Sequence, residues 1–144
     1  MSNRVVATID IEAPAGAVFD ISNDMENWPS IMSGYRSVKV VGQEGHKFWF
    51  DIVRDDDSGW RSWRVLRRDL LFAYAERHAP LHPFKFMHIL WSYRETGGST
   101  TAMTWDMEFE LAEGVDDLFS WLKRFEEHTR SNMAAMKDHI ENST

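Results

Sequence analysis

TTAMTWDMEFELAEGVDDLFSWLKRFEEHTRSNMAAMKDHIEN, residues 100 to 142, changes its apolar period once, and that change decides the fold. In its first part Met103, Trp105, Met107, Phe109 and Leu111 alternate with Thr104, Asp106, Glu108 and Glu110. A period of two with one apolar face is the mark of a half-buried β-strand. From Val115 to about Asn142 the apolar positions become Leu118, Leu122, Phe125, Thr129, Met133, Met136 and Ile140, three or four apart, as on one face of a helix. Asp116 and Asp117 stand where the positive end of that helix would be. Such a helix would be about 42 Å long, too long to stand alone in a chain of 144 residues. It has to lie along a strongly curved sheet. A sheet curled around a helix cannot touch it everywhere, and the space left between them is the candidate site.

The strands that build the sheet can be read outward from this stretch. FMHILWSYRE, joined to residues 100–111 by TGGS, completes a final hairpin, with Met87, Ile89 and Trp91 on one face. Before it, four runs are strand-like: roughly 35–41, 47–54, 60–69 and 70–78, broken at 42–45, at DDDSG (55–59) and near Asp69. Val5 to Ile11 reads as a first strand. Pro14 can then open a helix over AGAVFDISND, and MENWPSIM reads as a second short helix broken near Pro29. The predicted architecture is α+β: seven antiparallel strands, two short helices after the first, and a long C-terminal helix gripped by the sheet. The length fits one domain over residues 1–144.

Composition suits either a cavity or an aromatic-heavy core with several Trp at the surface. Seven Trp, nine Phe and three Tyr make up 13% of the chain, and eight Met accompany them. Each buried indole needs a partner for its N–H, so this surplus suits a hollow for a flat, partly polar ligand. Sixteen basic against 23 acidic residues, a formal charge of -7, argue against a nucleic-acid partner. No run of about 18 apolar residues suggests a membrane span, and the N-terminal residues do not read as a secretory signal. The absence of cysteine fits a cytoplasmic setting. His78 and His82 flank Pro80 with no carboxylate to complete a metal site, so neither metal nor cofactor is expected.

Alternation leaves the 60–69 strand with two registers. One turns Ser62, Arg64, Leu66 and Arg68 inward; the other turns Trp63 and Val65 inward. The first sends guanidinium groups into an apolar space, which is costly without an anionic or carbonyl partner. On the helix, Thr129, Asn132 and Met133 bring polar groups to the margin of the apolar stripe.

Four stretches carry a resemblance: APAGAVFDISNDMENWPSIMSGY (13–35), FMHILWSYR (86–94), TWDMEFEL (104–111) and HTRSNMAAMKDHIE (128–141). With them the chain resembles the single-domain aromatase/cyclases of bacterial type II polyketide synthases, within the Bet v 1-like, START-type (SRPBCC) helix-grip superfamily. The resemblance implies a curved seven-stranded antiparallel sheet around the C-terminal helix, enclosing a cavity. It implies that an acyl carrier protein delivers a poly-β-ketone, which folds, closes a ring by an aldol step and loses water, without a cofactor. It also implies other type II synthase components as partners, and favours the first register. By resemblance the acting pair is Arg68 and Tyr35, with Trp28, Trp91 and Trp105 as stacking aromatics and Met87 and Asn132 as lining. Met32, Ser62, Arg64, Leu66, Met107, Thr129 and Met133 complete the expected substrate-binding set. One departure stands out. Family members place a Trp two alternations before the pocket arginine, or a Ser just before it on the same face, where this chain has Arg64 and Leu66 before Arg68.

Arg68 would stay protonated and hydrogen-bond a ketone or oxyanion, while Tyr35 would serve best as a proton donor. The bland alternatives are a strand-end salt bridge with Asp69 or Glu76 for Arg68 and a rim phenol stacked on Pro29 for Tyr35. Arg36, Lys39, Lys85 and Arg94 are candidates for a basic patch facing the acidic carrier. The rival function is a non-catalytic module that binds or transports a hydrophobic aromatic, quinone or lipid.

Overall fold

Seven strands order as β1-β7-β6-β5-β4-β3-β2, every neighbouring pair antiparallel, in the computed structural model, which describes residues 2–114 and 117–143. The strands are β1 (Asn3–Ile11), β2 (Tyr35–Glu44), β3 (Lys47–Arg54), β4 (Gly59–Arg67), β5 (Phe72–Ala79), β6 (Phe84–Gly97) and β7 (Thr100–Leu111). Between β1 and β2 lie α1 (Ala15–Ser22) and a 3₁₀ helix over Met25–Ser30, and α2 (Leu118–Ser143) ends the chain. This is the expected α+β helix-grip arrangement. Among the described residues no helix is long and apolar enough to cross a membrane.

The predicted face of β7 is the inner one: Met103, Trp105, Met107 and Phe109 are all buried. Small residues make room for its neighbours. Ala7 of β1 stands opposite Trp105, and Ala73 of β5 opposite Trp91, so two indoles can enter one layer of the sheet. Helix α2 begins at Leu118 rather than Val115. Its first turn is capped by the Asp117 carboxylate, whose Oδ1 accepts the Ser120 N–H at 3.2 Å. Val115 and Asp116, and with them the expected role of Asp116, lie outside the described residues. The C-terminal half of α2 is seated through Met133, Met136 and Ile140, all buried, each stabilising by roughly 1.5–3 kcal/mol. Lys137 and Glu141 fasten that half to the end of β1: Lys137 Nζ donates to the Asp10 carbonyl at 2.6 Å, and Glu141 Oε2 accepts the Glu12 N–H at 2.8 Å.

Strand β4 turns Ser62, Arg64 and Leu66 inward, the first of the two registers. It ends earlier than its apolar pattern suggests. Leu70 N–H donates to the Arg67 carbonyl and Leu71 N–H to that of Arg68, with Leu71 at φ 55°, so residues 68–71 form a turn. Alternation no longer applies at Arg68, which corrects the expectation that it points into the cavity. Arg68 is exposed, and its Nε donates to Asp20 Oδ1 of α1 at 2.9 Å. Gly16 clears its path: a Cβ there would stand 2.6 Å from Arg68 Nη2. The bland reading, a surface salt bridge, holds for this residue, with Asp20 as the partner.

Candidate functional site

The inner face of the sheet and the N-terminal half of α2 enclose a cavity of about 490 Å³, within the usual range for small-molecule sites. Of the expected residues, Tyr35, Trp28, Met32, Ser62, Arg64 and Met87 line it. So do Trp91, Trp105, Met107, Thr129 and Asn132. Three do not. Arg68 lies in its turn, while Leu66 and Met133 pack into the solid core beside the cavity.

The inner end is built from indoles and one guanidinium. Trp91 and Trp105, paired across β6 and β7, stack with centroids 4.2 Å apart and planes 6° from parallel. Arg64 Cζ sits 4.1 Å from the Trp91 ring centre and 5.3 Å from that of Trp28, a cation–π arrangement on two rings. Trp28 is itself held by its Nε1–H, which donates to the Ser22 carbonyl at 2.9 Å, and by edge contact with Phe50. Ala75 stands opposite Arg64 on β5 and leaves the space that the long side chain fills.

Arg64 is 1% exposed, and its protein partner is neutral. Its Nε donates to Asn23 Oδ1 at 3.0 Å. Asn23 Nδ2 in turn donates to the Phe19 carbonyl and to the Tyr93 hydroxyl, both at 2.9 Å, and Tyr93 shares a 2.7 Å bond with Ser22 Oγ. No carboxylate enters this network. Burial therefore lowers the Arg64 pKa to about 10, partly offset by Tyr93 and Tyr35. Among the described residues two buried side-chain donors remain without a partner, Arg64 Nη2 and Trp105 Nε1. Unsatisfied buried donors are uncommon and costly, and both belong to residues that line the same hollow.

Tyr35, half-buried, stands 6.1 Å from Trp28, ring centre to ring centre. Burial raises its pKa, and the charges of Arg54 and Arg64 oppose the rise without cancelling it. Its hydroxyl has no hydrogen-bond partner among the described residues. The turn that delivers it is fixed from α2: Asn132 Oδ1 accepts the Ser33 N–H at 3.1 Å and the Ser33 hydroxyl at 3.3 Å. Gly34, at φ 93°, completes the turn in a conformation other residues rarely adopt. Asn132 is thus spent on the protein rather than on a ligand, as is Thr129, whose hydroxyl donates to the Phe125 carbonyl at 2.8 Å.

Sequence reasoning missed the outer end. There the lining passes from buried to half-buried and exposed side chains: Arg54, Trp60, Arg77, His82, Trp121 and His128. They lie at the ends of β3, β4 and β5, in the loop before β6 or in the N-terminal half of α2, brought together by the antiparallel order. None of Arg36, Lys39, Lys85 and Arg94 lines the cavity, and Arg36 is ion-paired to Asp57. The family pattern did contain the signal for the inner arginine. Moved back four residues, it falls on Arg64, with Ser62 just before it and Trp60 two alternations before. The apparent departure then disappears.

Known proteins share this fold and, in part, this sequence. The family model described as "Polyketide cyclase / dehydrase and lipid transport" matches residues 2–141. A Streptomyces cyaneus protein described as "Putative polyketide cyclase" is 32% identical over 148 residues, covering 98% of this chain and 95% of its own. A second, from Streptomyces halstedii and described in the same words, is 38% identical over 101 residues, 67% of this chain and 92% of its own. Among solved structures, the Zhui aromatase/cyclase of Streptomyces sp. R1128 superposes with a TM-score of 0.86 at 15% identity, covering 98% of this chain and 94% of that one. A START superfamily protein from Mycobacterium smegmatis does so with 0.77 at 15% identity, covering 98% and 99%. At such identities the structures speak for the fold alone; the family match and the 32% relative speak for kinship. The chain belongs to the polyketide cyclase / dehydrase and lipid transport family.

Proposed function

We propose that this chain is an aromatase/cyclase: it folds a carrier-borne poly-β-ketone in its cavity and promotes one aldol ring closure followed by loss of water. The observation that carries the proposal is Arg64, a buried guanidinium with no counter-ion among the described residues and an unpartnered Nη2, standing over stacked indoles. Such an arrangement makes sense if a ligand oxygen completes it, because a buried charge and an orphaned donor are both costly alone.

The chemistry follows from the groups present. A 1,3-diketone loses its α-proton readily, so the protein need not supply a strong base. The enolate carbon attacks a carbonyl carbon, the C–C bond forms, and the carbonyl π electrons move to oxygen. The Arg64 guanidinium is the donor for that developing oxyanion, in a buried setting where it acts strongly. Tyr35, neutral because its pKa is raised, gives the alkoxide its proton. Loss of that hydroxyl with an α-proton releases water and leads to the aromatic ring. Trp28, Trp91, Met32 and Met87 restrict the bend of the chain, so that one pair of carbons meets.

The test is reconstitution with a ketosynthase pair and a loaded acyl carrier protein. The chain is expected to convert a mixture of shunt products into one ring-closed product, and Tyr35→Phe to lower that yield by about 10²-fold. A product mixture that the chain leaves unchanged would favour the non-catalytic binding module instead.

A further inference from the structure

Most arginines of this acidic chain have a carboxylate, and those of the cavity do not. Arg4, Arg36, Arg61, Arg67, Arg68 and Arg130 are each ion-paired with an aspartate or glutamate. Arg94 and Arg124, with no ion pair among the described residues, are exposed to solvent. The three that line the cavity, Arg54, Arg64 and Arg77, form no ion pair among the described residues, although the chain has 23 acidic side chains. Arg64 has its place in the function proposed above. Arg54 and Arg77 do not.

Both lie against one indole at the rim. Their Cζ atoms are 6.0 and 4.1 Å from the Trp60 ring centre, and that of Arg77 is 5.1 Å from Phe84. Arg77 is fixed there, with Nε donating to the Pro80 carbonyl at 3.1 Å and Nη2 to the His82 carbonyl at 3.2 Å. Its Nη1 has no acceptor among the described residues. Asp56 is the acidic residue on the lining; its Oδ1 accepts the Ser58 N–H and hydroxyl in its own turn, and these bonds, then the charge of Arg54, lower its pKa without an ion pair between the two. Two half-buried cations side by side repel each other, and burial with Arg54 lowers the Arg77 pKa to about 10. An arriving oxyanion would relieve that repulsion, and the guanidinium fork matches carboxylate and phosphate geometry.

We propose that Arg54 and Arg77 form an oxyanion site at the rim, which holds the anionic tail of a ligand whose apolar, oxygen-bearing body reaches Arg64. The proposal rests on reading the cavity as a ligand site and adds what that ligand carries at its outer end. A phosphate ester in an arm that tethers the body to a carrier, or the carboxylate of a free acid, would supply the same oxyanion.

Two fluorescent probes test it. 1-Anilinonaphthalene-8-sulfonate and N-phenyl-1-naphthylamine share an apolar body and differ by one sulfonate. Wild type is expected to bind the anionic probe about tenfold more tightly. The Arg54→Gln/Arg77→Gln variant is expected to bind both alike, with its affinity for the neutral probe unchanged as the check on folding, and Arg64→Gln to keep the preference. Equal affinities in wild type, a preference that survives the rim substitutions, or one abolished by Arg64→Gln alone would each overturn the proposal. Neutral-probe binding without any preference removes the rim site and leaves the cavity reading standing; failure of both probes to bind removes both. Competition then identifies the tail. Displacement by pantetheine 4′-phosphate but not pantetheine supports a phosphate ester, and displacement by hexanoate alone supports a carboxylate.

Discussion

Arg64 keeps its full charge because the residue that holds it is an amide. A carboxylate in place of Asn23 would orient the guanidinium equally well but would spend its charge on the protein, leaving little for a ketone or oxyanion. Asn23→Asp tests this with almost no change of shape. The Asn23 side chain would lose its bond to the Phe19 carbonyl, which still accepts the backbone N–H of residue 23 at 3.1 Å. The expected result is a folded protein, by near-ultraviolet circular dichroism, whose ring-closed product falls about tenfold or more, since each 1.4 kcal/mol of lost oxyanion stabilisation is a factor of ten. Undiminished ring closure in this variant would mean that Arg64 does not act through its charge.

Among the elements, β4 teaches most about how far the sequence could be read. The strand carries Arg61, Arg64 and Arg67, and the fold treats them oppositely. On the outer face Arg61 is paired to Asp51 and Arg67 to Asp69, while inward-facing Arg64 has no carboxylate. Alternation left two registers open on this strand, and the resemblance favoured the one the structure shows; on β7 alternation alone identified Met103, Trp105 and Met107. It failed at Arg68 because a strand's end is set by the hydrogen bonds of its turn, which side-chain pattern does not display. It was silent on Arg54, Trp60 and Arg77, because their proximity is a product of strand order rather than of local sequence. The same distinction yields a test. Arg68→Ala removes an exposed ion pair between the β4–β5 turn and α1, and such pairs contribute little. The melting temperature should stay within about 2 °C of wild type, and the product profile should not change. A collapse of ring closure in Arg68→Ala would restore that residue to the site.

Across the whole molecule, charge is distributed so that the surface carries the acid and the cavity carries unpaired base. A net charge of -7 therefore says little about the cavity's own potential. His128, half-buried on the cavity side of α2 with Asn132 Nδ2 at 3.2 Å from its Nε2, has its pKa lowered, first by burial and then by Arg54. The unfolded chain thus binds this proton more readily than the folded one, so stability should fall as pH drops through the ordinary histidine value near 6.5. His128→Gln should flatten that part of the profile, measured by urea denaturation between about pH 7.5 and 5. A slope unchanged by the substitution would assign the effect to other groups.

The most direct measurement on the central claim, that Arg64 is kept in the cavity for its chemistry and at a cost to the fold, is Arg64→Met, followed by melting temperature and by product analysis in the reconstituted system. Replacing an unpaired buried charge by an apolar side chain of similar length should leave the melting temperature unchanged or higher. The ring-closed product should fall about 10²- to 10³-fold, as when one donor to an oxyanion is removed. A variant that melts well below wild type yet closes the ring as efficiently would make Arg64 a structural residue and contradict the account.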